Sequence, residues 1–251
     1  MVQIAPAEGL SHVIGDKSKR LLDVTLPAFF NYARQKYGQC EAVVFSQFNM
    51  RWTYSELLDK CDEFAAGLLA LGLYKGDRVG IWSPNRAEWI IAQIATARLG
   101  IILVNINPAY KGTELEYCIK KVDLKCLIFA TQFKSSAYAQ TILDLCPELV
   151  EQKPGHLYLK KLASLRMLVQ ISETPIAGAH SFQEVVKKAT KGYFERIDYI
   201  SNGLRPDDAI NIQFTSGTTG APKGATLSHK NIINNAVSCA KAMNLTHYDR
   251  L

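Results

Sequence analysis

The sequence contains the segment Thr215-Ser216-Gly217-Thr218-Thr219-Gly220-Ala221-Pro222-Lys223-Gly224, directly after the apolar and polar run of residues 209–214. Because glycine adopts positive φ angles without a steric penalty, such a segment can turn several backbone N–H groups toward one point. The hydroxyl groups and the lysine add further donors, and together these groups form a receptor for a phosphate chain. A flexible surface loop rich in Gly, Ser and Thr has a similar composition. The strand pattern before the segment, and the proline and lysine within it, favour phosphate binding.

The spacing of the segment excludes two common phosphate-binding loops. A Walker A loop needs a glycine, four further residues, and then Gly-Lys-Ser/Thr. Counting from Gly217, the sixth position is Pro222, and the residue after Lys223 is Gly224. Gly217, Gly220 and Gly224 also lack the spacing of the GxGxxG dinucleotide fingerprint. The segment therefore predicts a phosphate-binding loop of another kind.

The pattern of the remaining chain indicates the fold class. From residue 76 onward, short apolar runs alternate with segments of helical period. Such alternation predicts an α/β fold, with a mostly parallel sheet flanked by helices on both faces. Ligands bind at the carboxyl ends of the strands in these sheets, and segment 215–224 follows such an end. Strands are predicted at residues 79–82, 101–104, 127–129, 165–171, 209–214 and 225–227.

Helix signals are clearest near the N-terminus. Thr53 and Glu56 form a capping-box pattern, and the helix that they open at 54–71 carries an apolar stripe. His229 follows a helix cap, and we interpret it as part of that helix start and not as a catalytic residue. Residues 148–161 and 191–206 are interpreted as surface connections. Further helices are predicted at 23–37, 86–99 and 135–145, and after the caps Thr113, Ser181 and Ser228.

Composition and charge narrow the possible functions. The chain of 251 residues is 48% hydrophobic and 21% charged, and its net charge of +6 suits an anionic ligand. It lacks the dense Lys/Arg blocks of nucleic-acid-binding arms. Six cysteines without CxxC spacing indicate free, buried thiols in a reducing compartment. The N-terminus has no apolar core of a secretory signal, and polar residues interrupt the run 89–104, which argues against a membrane span. We predict a cytoplasmic location, or a mitochondrial one in a eukaryote.

Several blocks outside the glycine-rich segment carry a resemblance to one family. They are RWTYSEL at 51–57, KGDRVGI at 75–81, NINPAY at 105–110 and GATLSH at 224–229. Together with segment 215–224, they resemble the adenylate-forming (AMP-binding) enzyme superfamily, in the order in which that family carries them. Residues 113–122 and 211–214 look most like the medium- and long-chain fatty acyl-CoA synthetase branch. The fold that the resemblance implies is an incomplete N-terminal domain of the acyl-adenylate-forming fold.

The resemblance implies a ligase reaction that uses ATP, Mg²⁺ and coenzyme A. A fatty acid carboxylate attacks the α-phosphorus of ATP, which yields acyl-AMP and pyrophosphate, and the thiol of coenzyme A then displaces AMP. The segment would hold the β- and γ-phosphates through hydroxyl donors, backbone N–H groups and the lysine charge. The ATP-binding residues implied are Thr215, Ser216, Gly217, Thr218, Thr219, Gly220, Ala221, Pro222 and Lys223. No catalytic residue is assigned within residues 1–251.

Length is where the sequence departs from the family. The resemblance places the adenine-binding aromatic block, the magnesium ligand, the ribose-binding aspartate and the catalytic lysine beyond Leu251, so this part alone is expected to be inactive. We predict two units, a helical segment at 1–75 that packs on a sheet outside this chain, and an α/β unit at 76–251. The apolar stripe of the helix at 54–71 would then be exposed, or buried by self-association.

Two alternative functions stay open from the sequence. The chain could be an adenylation domain for another carboxylate, such as an amino or aryl acid, or a non-catalytic nucleotide-binding or interaction module. The expected partners are a fatty acid, ATP and coenzyme A, with no nucleic acid. Peripheral contact with a membrane is compatible with the sequence.

Overall fold

The computed structural model describes residues 20–215, 222–246 and 248–249. Its helices are α1 (Leu26–Tyr37), α2 (Tyr54–Ala70), α3 (Ala87–Leu99), α4 (Gly112–Lys121), α5 (Tyr138–Leu145), α6 (Phe182–Val186), α7 (Lys191–Asn202) and α8 (His229–Ala242). Its longer strands are β1 (Glu41–Phe45), β2 (Met50–Thr53), β3 (Arg78–Trp82), β4 (Ile102–Ile106), β5 (Cys126–Ala130), β8 (Met167–Ile171), β9 (Ala179–Ser181), β10 (Ala209–Thr215) and β11 (Lys223–Ser228). Two short strands, β6 (Gln132–Phe133) and β7 (Ser136–Ala137), form a small hairpin before α5.

A seven-stranded sheet in the order β11-β10-β4-β3-β5-β8-β9 organises the described part of the chain. Every neighbouring pair in this sheet is parallel except β10 and β11, which are antiparallel. All residues of β5 and β8 are buried, as expected for parallel strands covered on both faces. The predicted α/β fold with a mostly parallel sheet is therefore confirmed.

Alternate side chains of the strands enter two hydrophobic clusters, one on each face of the sheet. Val79 and Ile81 of β3 pack in the first cluster with α2, α3 and α6. Trp82 of β3 and Val104 of β4 pack in the second cluster with α4, α5 and the irregular segment 157–165. The clusters explain why the strands read as continuous apolar runs in the sequence.

Helix α2 confirms the capping prediction and corrects the packing prediction. The Thr53 hydroxyl accepts from the Glu56 N–H at 3.2 Å, and a Glu56 carboxylate oxygen accepts from the Thr53 N–H at 2.8 Å. The apolar stripe that we expected to be exposed is fully buried, with Leu58, Phe64 and Leu68 all at 0% exposure. Helices α3, α6 and α7 of this chain cover it. Self-association of the chain stays a prediction. A boundary near residue 75 stays a prediction.

Three other local predictions need correction. Helix α7 lies within 191–206, where we expected a surface connection, because its few apolar side chains include Ile197, which is buried against α2 and α3. Helix α4 begins at Gly112 and not after a Thr113 cap, since Glu114 accepts from the Lys111 N–H at 3.2 Å. Helix α5 begins at Tyr138 and not at 135, because the hairpin of β6 and β7 precedes it.

Arg98 joins four helices in the interior beside the first cluster. Its side chain is 4% exposed, and its Nε lies 2.6 Å from Oδ1 of Asp62 on α2. The angle at this contact is not that of a hydrogen bond, so the contact is an ion pair at short range. The remaining guanidinium nitrogens reach Oδ1 of Asn31 on α1 at 3.1 Å and Oδ1 of Asp198 on α7 at 3.3 Å. One buried cation therefore fixes the relative positions of α1, α2, α3 and α7.

The cysteines are free thiols, as predicted, and four of them are buried. Burial raises the pKa of Cys118 and Cys126 to about 12, so these thiols stay protonated and unreactive at neutral pH. Among the helices of the described ranges, none is both long enough and apolar enough to cross a membrane.

Candidate phosphate-binding site

Strands β10 and β11 bring together the two ends of the predicted phosphate-binding segment. Thr215 ends β10, Lys223 begins β11, and the two residues lie opposite each other in the antiparallel ladder. The Thr215 hydroxyl lies 3.4 Å from the Lys223 carbonyl oxygen and donates to it. Pro222 directly precedes Lys223 and is half-buried. The other predicted residues of the site, Ser216 to Ala221, lie outside the described residues, and their role stays a prediction.

The position of this hairpin in the sheet matches the expectation for a ligand site. In β10, Gln213 pairs with Asn105 of the parallel strand β4, and Asn105 also pairs with Ile81 of β3. The carboxyl ends of β3, β4 and β10 therefore meet at one edge of the sheet, where α/β folds bind ligands. The Asn107–Pro108 turn follows β4 at this edge, and the Asn107 side chain accepts from the Ala109 N–H at 2.9 Å.

Exposure and charge at the start of β11 suit an anion. Lys223 and the three residues after it are exposed, and none of the ion pairs formed within the described ranges involves Lys223. An exposed ammonium group without a carboxylate partner is available for a phosphate oxygen. The Lys223 ammonium group thus fits a phosphate oxygen. Within the same ranges, no cluster of three or more His, Cys, Asp or Glu side chains could hold a metal ion.

A side chain that the sequence analysis did not single out contacts this hairpin. Tyr117 of α4 donates its hydroxyl hydrogen to the Pro222 carbonyl oxygen at 3.0 Å. Its ring also packs edge-on against Phe214, with ring centroids 6.4 Å apart. The signal in the sequence was weak, because an aromatic residue in an amphipathic helix is equally compatible with ordinary packing.

His229 and Lys75 are structural neighbours of the hairpin. Ser228 caps α8 as predicted, and the buried His229 accepts from the Leu26 N–H through Nδ1 at 3.1 Å. Burial lowers the pKa of His229 to about 4, and nearby Lys75 adds to this effect, whereas Asp208 opposes it. Lys75 itself lies 2.7 Å from the Asp208 carboxylate. The His229 contact joins α1 to the start of α8, and the Lys75–Asp208 pair joins the turn before β3 to the residue before β10. The non-catalytic interpretation of His229 stays a prediction.

Comparison with known sequences identifies similar proteins. A profile of AMP-binding enzymes matches residues 30–251. The chain is 43% identical over 232 residues to the human medium-chain acyl-CoA ligase ACSF2, mitochondrial, a match that covers 92% of this chain and 38% of the ligase. The zebrafish (Danio rerio) protein of the same name is 39% identical over 231 residues, with 92% and 38% covered. The chain thus spans less than two fifths of the length of these curated relatives.

Solved structures share the fold. The long-chain-fatty-acid-CoA ligase FadD1 from Archaeoglobus fulgidus superposes with a TM-score of 0.71 at 23% identity, over 96% of this chain and 43% of that chain. The N-terminal domain of FACL13 from Mycobacterium tuberculosis gives 0.72 at 23% identity, over 90% and 50%. Because the family profile covers most of the sequence and relatives above 30% identity align with nearly all of it, the chain belongs to the family of AMP-binding enzymes.

Proposed function

We propose that this chain is the N-terminal part of an ATP-dependent fatty acid–CoA ligase, and that segment 215–223 binds the β- and γ-phosphates of ATP. The pairing of Thr215 with Lys223, at the carboxyl edge of a mostly parallel sheet, is the observation that carries the proposal. The match to AMP-binding enzymes supports ATP as the nucleotide. Relatives named as medium-chain acyl-CoA ligases support a fatty acid as the carboxylate and coenzyme A as the thiol.

Charge placement explains how the hairpin would assist the first half-reaction. When a carboxylate oxygen attacks the α-phosphorus, the bond to the leaving pyrophosphate breaks and negative charge accumulates on pyrophosphate. The Lys223 ammonium group would stabilise that charge by charge-assisted hydrogen bonds, and the Thr215 hydroxyl would add one after it rotates away from the Lys223 carbonyl oxygen. The backbone N–H groups of the glycine-rich segment would add donors to the same phosphates. The second half-reaction releases AMP and forms the thioester, so it has less need of this hairpin.

Magnesium is the cofactor that the family implies beside ATP, where it neutralises phosphate charge. The described residues offer no cluster of acidic ligands that fits a resident ion. We therefore assign no residue of this chain to magnesium, and its ligand stays predicted beyond Leu251.

A substrate panel tests the proposed reaction. The full-length protein is assayed for ATP–pyrophosphate exchange with fatty acids of increasing chain length, and with amino acids and aryl acids in parallel. Exchange that depends on a fatty acid is expected. Exchange with only an amino or aryl acid would contradict the fatty acid assignment, and ATP binding without exchange on any acid would support a non-catalytic module.

The substitution Lys223→Ala tests the assigned site. Loss of a charge-assisted hydrogen bond worth about 1.5–3 kcal/mol is expected to slow adenylation about 10- to 100-fold. Thioester formation from preformed acyl-AMP is expected to change much less. The control is Lys241→Ala, which removes an exposed lysine from the last turn of α8. An equal loss in both half-reactions, or an equal effect of the two substitutions, would refute the role of Lys223.

Relatives also support a compartment. The ligases named ACSF2 in the comparison are described as mitochondrial. We favour a mitochondrial location over the cytoplasmic one for the full-length protein, and fluorescence imaging of a C-terminally tagged protein against a mitochondrial dye checks it.

A further inference from the structure

One side chain on α4 contacts the hairpin at Phe214, directly before the phosphate-binding segment, and at Pro222, within it. The Tyr117 hydroxyl donates to the Pro222 carbonyl oxygen at 3.0 Å, one residue before Lys223. The ring of the same residue packs at 64° against Phe214, one residue before Thr215. Tyr117 and Pro222 are 105 positions apart in the chain, so this contact is made by the fold.

The helix that carries Tyr117 is held firmly. Leu115, Cys118 and Ile119 of α4 are at most 1% exposed and pack in the second cluster. On the exposed side of the helix, a Glu116 carboxylate accepts from Lys120 at 2.7 Å. Tyr117 and Phe214 both pack against the second cluster. The phenol is therefore fixed relative to the sheet and can serve as a reference point for the hairpin.

The hydrogen bond from Tyr117 to the Pro222 carbonyl oxygen affects the backbone orientation at Lys223. A peptide unit is planar, so the Pro222 carbonyl group and the Cα atom of Lys223 lie in one plane. A donor that holds the carbonyl oxygen therefore fixes the orientation in which the chain enters Lys223. Pro222 itself has a fixed φ angle, which leaves the carbonyl orientation as the main freedom at this point.

We propose that Tyr117 is a positioning residue. Through its hydrogen bond to Pro222, it holds Lys223 in the orientation that meets the terminal phosphates of ATP. The inference rests on the proposed role of segment 215–223. Tyr117 does not contact the phosphates in this proposal, and it acts through Pro222 and Lys223.

Binding of ATP and of AMP to the full-length protein tests the inference, with isothermal titration calorimetry on the unsubstituted protein and on Tyr117→Phe. Phenylalanine keeps the ring contact with Phe214 and removes only the hydroxyl. ATP carries the terminal phosphates that Lys223 would meet, whereas AMP lacks them. Loss of one hydrogen bond is expected to raise the Kd for ATP about 3- to 10-fold. The Kd for AMP is expected to stay unchanged.

The matched control is Tyr199→Phe, which removes a phenolic hydroxyl from a side chain on α7 that is 83% exposed, and which is expected to change none of these quantities. Equal weakening of ATP and AMP binding would indicate a purely structural role and overturn the inference. An unchanged Kd for ATP would also overturn it. A protein that binds ATP but activates no fatty acid would refute only the proposed reaction, because the comparison at Tyr117 depends on binding alone.

Discussion

Helix α2 buries nine of its seventeen residues, whereas four of the six residues of strand β11 are exposed. Helix α2 is enclosed by α3, α6 and α7, so it cannot shift without opening the first cluster. Within the described residues, strand β11 lies at the edge of the sheet and pairs with β10 alone. A movement of β11 would thus break one ladder and little apolar packing.

The difference separates a region that sets the fold from a region suited to ligand contact. The enclosed layer around α2 supplies stability, and the exposed hairpin presents Lys223 at the edge of the sheet. Substitutions in the first region are expected to change the free energy of unfolding and leave ATP affinity alone. Substitutions in the hairpin are expected to do the reverse.

The largest effect on stability is expected for Arg98→Leu. Removal of the guanidinium leaves Asp62 in a buried site with only Arg34, at 3.5 Å, as a cationic partner. Burial raises the pKa of Asp62, against the opposing effect of Arg98, so loss of Arg98 leaves the carboxylate poorly compensated. The expected loss in the free energy of unfolding is about 3–5 kcal/mol, measured by urea denaturation.

Two further variants decide whether burial causes that loss. Arg51→Leu removes an ion pair with Glu41 of the same kind, at 2.8 Å, but its arginine side chain is 65% exposed, and a loss below about 1 kcal/mol is expected. The double variant Arg98→Leu with Asp62→Leu is expected to recover much of the stability. Equal losses in the free energy of unfolding for Arg98→Leu and Arg51→Leu would contradict the proposed difference between the enclosed layer and the exposed surface.

The next effect is a pH dependence at the junction of the two regions. His229 begins α8 directly after β11, and burial lowers its pKa from about 6.5 to about 4. Between these values the unfolded chain binds a proton that the folded protein does not bind, so stability falls as the pH drops from about 6.5 to about 4. The expected loss over this range is about 3 kcal/mol, and it levels off below the lower value.

Urea denaturation at a series of pH values measures this dependence. His229→Gln is expected to remove most of the slope. His180→Gln is the comparison variant, since burial also lowers the pKa of His180. A slope that persists in His229→Gln and disappears in His180→Gln would contradict this account.

Local patterns were enough to predict most of the fold. The capping box at Thr53 and the apolar stripe of α2 lie within one stretch of sequence, and both could be recognised without the structure. The strands were recognisable because both of their faces are buried, which gives continuous apolar runs. Helix α7 was missed because it buries few side chains, among them Ile197 and Ser201, and its exposed remainder resembles a loop in composition.

Contacts between distant segments could not be predicted in the same way. Glycine, hydroxyl and lysine content pointed to the phosphate-binding segment, but nothing near Lys223 in the sequence indicated that Tyr117 would reach Pro222. The enclosure of α2 was likewise mispredicted, because its covering helices come from both α3 and the much later α6 and α7. Periodicity identifies which face of an element is buried, whereas the partner of that face depends on the whole fold.

The smallest expected effect is that of Gly67→Ala, at the contact between α2 and α6. The sign of the change in the free energy of unfolding shows whether packing or helix propensity dominates there. A Cβ atom at Gly67 would lie 2.1 Å from the Val185 carbonyl oxygen, so Gly67→Ala requires the two helices to separate. We expect a loss of about 1–3 kcal/mol in the free energy of unfolding, although helix propensity alone would make alanine stabilising by about 1 kcal/mol. Gly192→Ala in α7 is the matched control, because no atom lies within 4 Å of its added Cβ, and a small gain is expected there. A gain in the free energy of unfolding at both positions would mean that the helices around α2 can adjust to an added methyl group. The contrast between α2 and β11 would then depend on burial and not on tight packing.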